Sequence, residues 1–297
     1  LSIKRLNYSR SNLAAAMSDL HSINEAINKK AGRKLIPSII VGLALLAIIF
    51  TTIAFVPILF AAFVLVAVLL ALHELSAAFN AREIKVNYPQ LFVATSAMIV
   101  SSWFAGLPGL TISFVASVII LLFFQLLGGT EGFVKKATGT AFALMYPGLV
   151  SGFIFLLARS GDGFAYICVL VFIVGLNDTF AYLTGVLIGK HPMAPKISPK
   201  KTWEGFIGGL MFTAVGTALT FDYWLESEYW IGALAGVAGV LAATVGDLIE
   251  SAIKRDLALK DMGTVLPGHG GMLDRIDSAL ITAPVFWLVI ELLKRFG

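Results

Sequence analysis

Cysteine is almost absent. The single Cys168 lies inside an apolar run, with no partner for an intramolecular disulfide, and no set of His and Cys has zinc spacing. Charge is scarce too: Asp, Glu, Lys and Arg make up 13% of the residues, against roughly 25% in an ordinary soluble domain. Hydrophobic residues make up 58%, and the mean hydropathy is +0.88, values that argue against a water-soluble fold. There is no Walker-type GxxxxGK followed by Ser or Thr and no GxGxxG, so the common soluble nucleotide-binding scaffolds are missing. The polar, basic first 35 residues are not followed by a short apolar run with a small-residue cleavage site, so no cleaved secretory signal is expected. No internal repeat is visible.

What is present is a series of apolar stretches, about 36–55, 57–79, 91–106, 109–127, 138–158, 164–189, 203–221, 230–250 and 276–293. They predict an all-α integral membrane protein, a polytopic bundle of about nine transmembrane helices. With a cytoplasmic amino terminus, all but Arg159, Lys294 and Arg295 of the 22 lysines and arginines fall inside, as the positive-inside rule requires. The net charge of +4 therefore follows topology, and nucleic acid is not expected as a partner. Three regions result: a polar cytoplasmic segment 1–35, amino-terminal spans over 36–135, and carboxy-terminal spans with cytoplasmic loops over 136–297. Within the first, Leu13, Met17, Leu20, Ile23 and Ile27 have the spacing of an amphipathic helix on the membrane surface.

Groups that can do chemistry gather in the second half. Asp247, Glu250, Ser251 and Lys254 are offset by three, four and seven residues, which sets them on one face of a helix leaving the bilayer. Asp274 and Asp277 stand where the last span begins, a place that suits acids because helix N–H groups are free there. Pro267-Gly268-His269-Gly270-Gly271 supplies the glycine for a fold-back loop and for close approach to an anion. Converging carboxylates call for a cation, and hard oxygen ligands suit magnesium, so Asp247 and Asp274 are the expected metal ligands. The loop 190–202 carries Lys190, Lys196, Lys200 and Lys201 with Ser198 and Thr202, a set able to hold a triphosphate or a lipid phosphate. Asp178, deep in the sixth stretch, is expensive to bury in a membrane and is expected to face a polar cavity. In the first four stretches the notable pair is His73 and Glu74, read as a structural hydrogen-bonding cluster at the interface.

Taken together, Ser251-Ala252-Ile253-Lys254-Arg255, Lys260-Asp261, and Leu266-Pro267-Gly268-His269-Gly270-Gly271-Met272-Leu273-Asp274-Arg275-Ile276-Asp277 resemble the signature of the bacterial phosphatidate cytidylyltransferase family. The segments Asn177–Tyr182 and Ser198–Gly205 also look like family segments, so the resemblance covers roughly 140–295. It implies a magnesium-dependent polytopic enzyme of the inner (plasma) membrane. CTP and phosphatidate are its substrates, its site faces the cytoplasm among membrane lipids, and one or two cations are compatible with the residues. It also implies Asp247 and Asp274 as metal-binding acids and Lys254 and Arg255 with the basic loop as phosphate-handling groups; Asp178, from its place in a span, is a further catalytic candidate. Ser251, Lys260, Asp261, His269, Gly270, Gly271, Arg275 and Asp277 are the remaining substrate-binding candidates, and a homo-oligomer is expected. A secondary transporter is the rival from another class, but it would place substrate groups near the midplane, whereas these charges crowd to one face. A CTP-dependent lipid kinase, or a cytidylyltransferase for another polar lipid, stays open on the residues alone; release of CDP or pyrophosphate separates the kinase.

Overall fold

Apolar runs separated by short polar links leave the backbone one solution inside a bilayer, where N–H and C=O groups must pair within their own segment. In the computed structural model, which describes residues 35–263, 265 and 270–296, each such run is helical. The helices are α1 (Leu35–Phe55), α2 (Pro57–Ala81), α3 (Tyr88–Leu127), α4 (Phe133–Ala158), α5 (Gly163–Ile188), α6 (Trp203–Leu225), α7 (Tyr229–Asp256) and α8 (Leu273–Phe296). Helices α2 to α8 are long and apolar enough to cross a membrane, and α1 contains a shorter apolar stretch, Gly42–Phe55. Residues Ile49–Leu266 and Gly270–Gly297 form one unit; the described part of the other, within Leu1–Ile48, is the beginning of α1. The amphipathic segment expected over 11–30 lies outside the described residues.

Nine spans are not confirmed: among the described residues seven helices are long and apolar enough to cross a membrane. The third and fourth expected stretches are found as two helical arms that run together as α3 across a kink; a straight rod of 40 residues would be about 60 Å long, twice the hydrocarbon thickness. Helix α3 bends at Gly106, whose φ of 68° and ψ of −152° lie outside the helical region, just before Pro108, which has no N–H to continue the ladder. The arms then lie side by side: Ser101 Oγ donates to Ser113 Oγ at 2.8 Å, although residues twelve apart are about 18 Å apart along a straight helix. Arg159 Nε donates to the Trp103 carbonyl at 2.7 Å, satisfying a carbonyl at the break. Helix α4 is interrupted as well, by a π turn over Leu144–Leu149 that contains Pro147.

Alternation of the helices sends the links 82–87, 128–132 and 189–202, with residues 257–263, to one end of the bundle, and the bend at Gly106 with the links 159–162 and 226–228 to the other. Contacts agree with this. Arg82 Nε reaches the Leu257 carbonyl at 2.8 Å and Arg255 Nε the Ile197 carbonyl at 3.3 Å at the first end, while Lys294 lies over the Tyr166 ring at the second. Among the described residues every lysine and arginine except Arg159, Lys294 and Arg295 belongs to the first end. Two apolar clusters fill the bundle, one around Leu72, Leu75, Leu257 and Leu273, the other around Phe155, Tyr166, Phe221 and Phe286.

Helices α5, α6 and α7 approach closely because their facing residues are small, as is common where no hydrophobic force drives helices together in lipid. Gly208 and Gly209 of α6 pack on Thr184, Ala181 and Asn177 of α5, and Gly232 and Gly236 of α7 pack on the backbone of α6. The loop between α5 and α6 holds the one departure from an all-helical fold among the described residues. Its strands β1 (Pro192–Ala194) and β2 (Ser198–Thr202) pair antiparallel with Pro192 opposite Thr202 and Ala194 opposite Ser198. Pro192, the first residue of its strand, sits where the missing N–H is tolerated.

Candidate active site

The hairpin is clipped to the start of α6. Glu204 Oε2 accepts the N–H groups of Lys190 and His191 at 3.1 and 3.2 Å, and Oε1 lies 2.5 Å from His191 Nδ1. The Trp203 N–H donates to the His191 carbonyl, and Thr202 Oγ1 caps α6 by accepting from the Gly205 N–H at 3.1 Å. Both ends of the hairpin are thereby fixed, and Lys201 is carried to α7, where its Nζ lies 2.5 Å from Asp247 Oδ2. Ser251, one turn on, donates to Asp247 Oδ1 at 3.3 Å. A cavity of about 290 Å³ opens beside this pair; Asp178, Asp247, Lys200 and Lys201 supply its charges, and Tyr182 and Phe206 form part of its apolar wall. Asp178 thus lines a cavity whose wall is mostly apolar, although it sits well inside α5, with Asn177 Nδ2 at 3.4 Å.

A second cluster lies deeper, between α7 and α8. Lys254 donates to Asp274 Oδ1 at 2.7 Å and pairs with Glu250 Oε2 four residues back on its own helix. The other oxygen of Asp274, Oδ2, accepts the N–H groups of Met262 at 2.9 Å and Gly271 at 2.8 Å, so this side chain closes the link 257–272 onto the helix it begins. The two helices meet at backbone distance here: a Cβ on Gly246 would stand 2.7 Å from the Asp277 carbonyl oxygen. Asp277, half-buried, Asp178 and Asp247 are near enough for their charges to act on one another.

The stripe expected on α7 is found, with Asp247 bound to Ser251 and Glu250 to Lys254. Asp247 and Asp274 are each engaged by a different lysine. Arg255 holds the hairpin through the Ile197 carbonyl, and the charge of Arg275 acts on Asp178. Lys196 is exposed at the hairpin tip, and Lys260 and Asp261 are exposed on the link before α8. Ser198 lies half-buried in β2, and Gly270 adopts a positive φ of 83°. His269 lies outside the described residues. Among the described residues no three His, Cys, Asp or Glu side chains converge as a ready-made metal site. Glu250, placed on the stripe but not singled out from sequence, is the most buried acid of the group at 1% exposure; its i, i+4 spacing to Lys254 was the available signal.

A family model described as the cytidylyltransferase family matches residues 37–293, from the start of α1 to the last turns of α8. The chain belongs to that family. The match reaches well beyond the 140–295 carried by the sequence motifs and takes in the amino-terminal helices, for which the sequence offered only hydropathy. Among its relatives in the cytidylyltransferase family, the phosphatidate cytidylyltransferase of Mycobacterium bovis is 35% identical over 277 residues, covering 89% of this chain and 90% of that protein. The phosphatidate cytidylyltransferase of Mycobacterium leprae is 42% identical over 163 residues, 55% of this chain and 52% of that protein. That of Staphylococcus aureus is 38% identical over 180 residues, 60% of this chain and 68% of that protein.

Proposed function

We propose that this chain is a phosphatidate cytidylyltransferase: it joins CTP to phosphatidate, giving CDP-diacylglycerol and pyrophosphate. The observation that supports the reading is the meeting of Lys254 and Asp274, twenty residues apart in the signature, on the helix whose Asp247, seven residues before Lys254, lines a cavity into which the hairpin delivers Lys200 and Lys201. Two polyanions must come together there, and ammonium groups held against carboxylates are the means of lowering that repulsion.

The second pKa of a phosphate monoester is about 6, so the lipid phosphate is already largely ionised at neutral pH and no general base is required. Its oxygen attacks the α-phosphorus of CTP in line; the bond between that phosphorus and the bridging oxygen to the β-phosphate breaks, and the electron pair leaves with pyrophosphate. Lys201 and Lys200 neutralise charge on the phosphates, Lys254 fixes Asp274, and Ser251 orients Asp247. Bound magnesium would neutralise phosphate charge further. The donor set suits it in kind: it is all oxygen, and magnesium takes one or two carboxylates with the rest from phosphates and water. Asp247, within the field of Asp178 and Asp277, is the first ligand in this reading. Asp274, whose oxygens already accept from Lys254, Met262 and Gly271, would be the second, with those contacts kept.

The end of the bundle rich in lysine and arginine faces the cytoplasm in this reading, as the positive-inside rule requires, and the membrane is the bacterial inner one. Tyr182 and Phe206 at the cavity wall suit the glyceride end of a lipid arriving sideways from the leaflet. The test uses purified protein, labelled CTP and phosphatidate, with and without magnesium. A labelled CDP-lipid together with pyrophosphate, formed only with magnesium, is the expected result; release of CDP instead would make the protein a kinase and defeat the assignment.

A further inference from the structure

We infer that Glu74 of α2 is a positioning residue for the reaction proposed above, on which this inference rests. Glu74 lies 198 residues before Met272 in the chain, yet its carboxylate receives the entry to the last helix. Oε1 accepts the Met272 N–H and Oε2 the Leu273 N–H, both at 2.9 Å, and the residue is only 4% exposed. These are among the first N–H groups of α8, which have no partner within the helix and carry the positive end of its dipole. The next N–H back, that of Gly271, goes to Asp274. Two carboxylates from opposite ends of the sequence thus share three consecutive N–H groups, and the placement of one conditions that of the other.

Packing around Glu74 is equally specific. A Cβ on Gly263 would collide with Glu74 Oε1, and one on Gly271 would stand 2.5 Å from Oε2 and 2.7 Å from the Gly263 nitrogen. Both positions are closed to any side chain because the α2 carboxylate occupies the space. The signature's Gly271 is therefore shaped by a residue outside the signature. Gly263 adjoins Met262, whose N–H holds Asp274, so the wedge formed by Glu74 sets the backbone on both sides of that acid and, through it, Lys254. A carboxylate is required, since each oxygen accepts a separate N–H; an amide offers one acceptor and turns a donor toward the other N–H. His73, its neighbour, is exposed and packs edge-on against Tyr88, and takes no part.

The test compares wild type, Glu74→Gln and Glu74→Asp as purified full-length protein in detergent. Two things are read: hydrogen exchange at the Met272 and Leu273 amides, and kcat per folded molecule with KM for each substrate. Glu74→Gln is expected to speed exchange at one or both amides about tenfold or more. It is also expected to lower kcat per folded molecule about tenfold with both KM values little changed, the pattern of lost alignment in the transition state. Glu74→Asp, with both acceptor oxygens but one methylene less, should recover part of each effect, and it carries the same test if the Gln variant does not accumulate. Unchanged amide exchange, or a loss of rate that follows the folded fraction alone, overturns the inference. A wild-type protein that forms no CDP-lipid overturns the functional reading instead.

Discussion

Two lysine–carboxylate clusters stand one helical turn apart on α7, and they are built differently. In the outer one Lys201 and Asp247 are 25% and 34% exposed and come from a surface hairpin and a helix flank beside a cavity. In the inner one Lys254, Glu250 and Asp274 are 15%, 1% and 6% exposed, and Asp274 is further held by two backbone N–H groups. An ion pair open to water contributes about 0–1 kcal/mol and exchanges partners readily, whereas removing one member of a buried pair costs about 3–5 kcal/mol because a charge is left uncompensated. The outer cluster is thus suited to trade its partner for a substrate phosphate or a cation. The inner one is suited to keep its shape while that happens.

The sharpest way to break this contrast is Lys254→Met, which leaves Glu250 and Asp274 facing each other without an ammonium. A loss of about 3–5 kcal/mol in stability is expected, seen as a lower melting temperature or failure to accumulate. Asp247→Asn should instead leave the melting temperature within the range of a surface pair and reduce turnover about 10²–10³-fold. If both variants lost stability alike, the division into outer and inner would be wrong. Lys201→Gln is expected to lower kcat/KM about tenfold, again without a change in melting temperature, as removal of one charge-assisted contact to phosphate does. Arg255→Ala, which frees the exposed hairpin from one carbonyl contact, should change stability by less than about 1 kcal/mol and activity least of the four.

Part of both clusters was legible in the sequence, because helical spacing alone sets Asp247, Ser251, Glu250 and Lys254 on one face of α7. The division of the lysines between the acids was not. Spacing carries no information about which lysine reaches which acid, since Lys201 arrives on a hairpin whose three prolines read as irregular loop. Glu74 was legible only as a polar residue near an interface; its partners are backbone N–H groups nearly two hundred residues away, and no periodicity encodes that. The spans were read correctly as apolar and helical, and the third and fourth stretches coincide with the two arms of α3; what hydropathy does not show is the corner at Gly106 where those arms meet.

That corner has a bearing on how the protein enters a membrane. The run from Tyr88 to Leu127 contains no charged residue at all, and its turn is formed by Gly106, Leu107 and Pro108. Both arms can therefore be handed to the lipid as a pre-bent pair, with nothing ionic to drag through the hydrocarbon. Arg159, which later locks the bend, is synthesised about fifty residues afterwards. A charge introduced at the tip would burden the entry of this pair into lipid while leaving the Arg159 contact with the Trp103 carbonyl available.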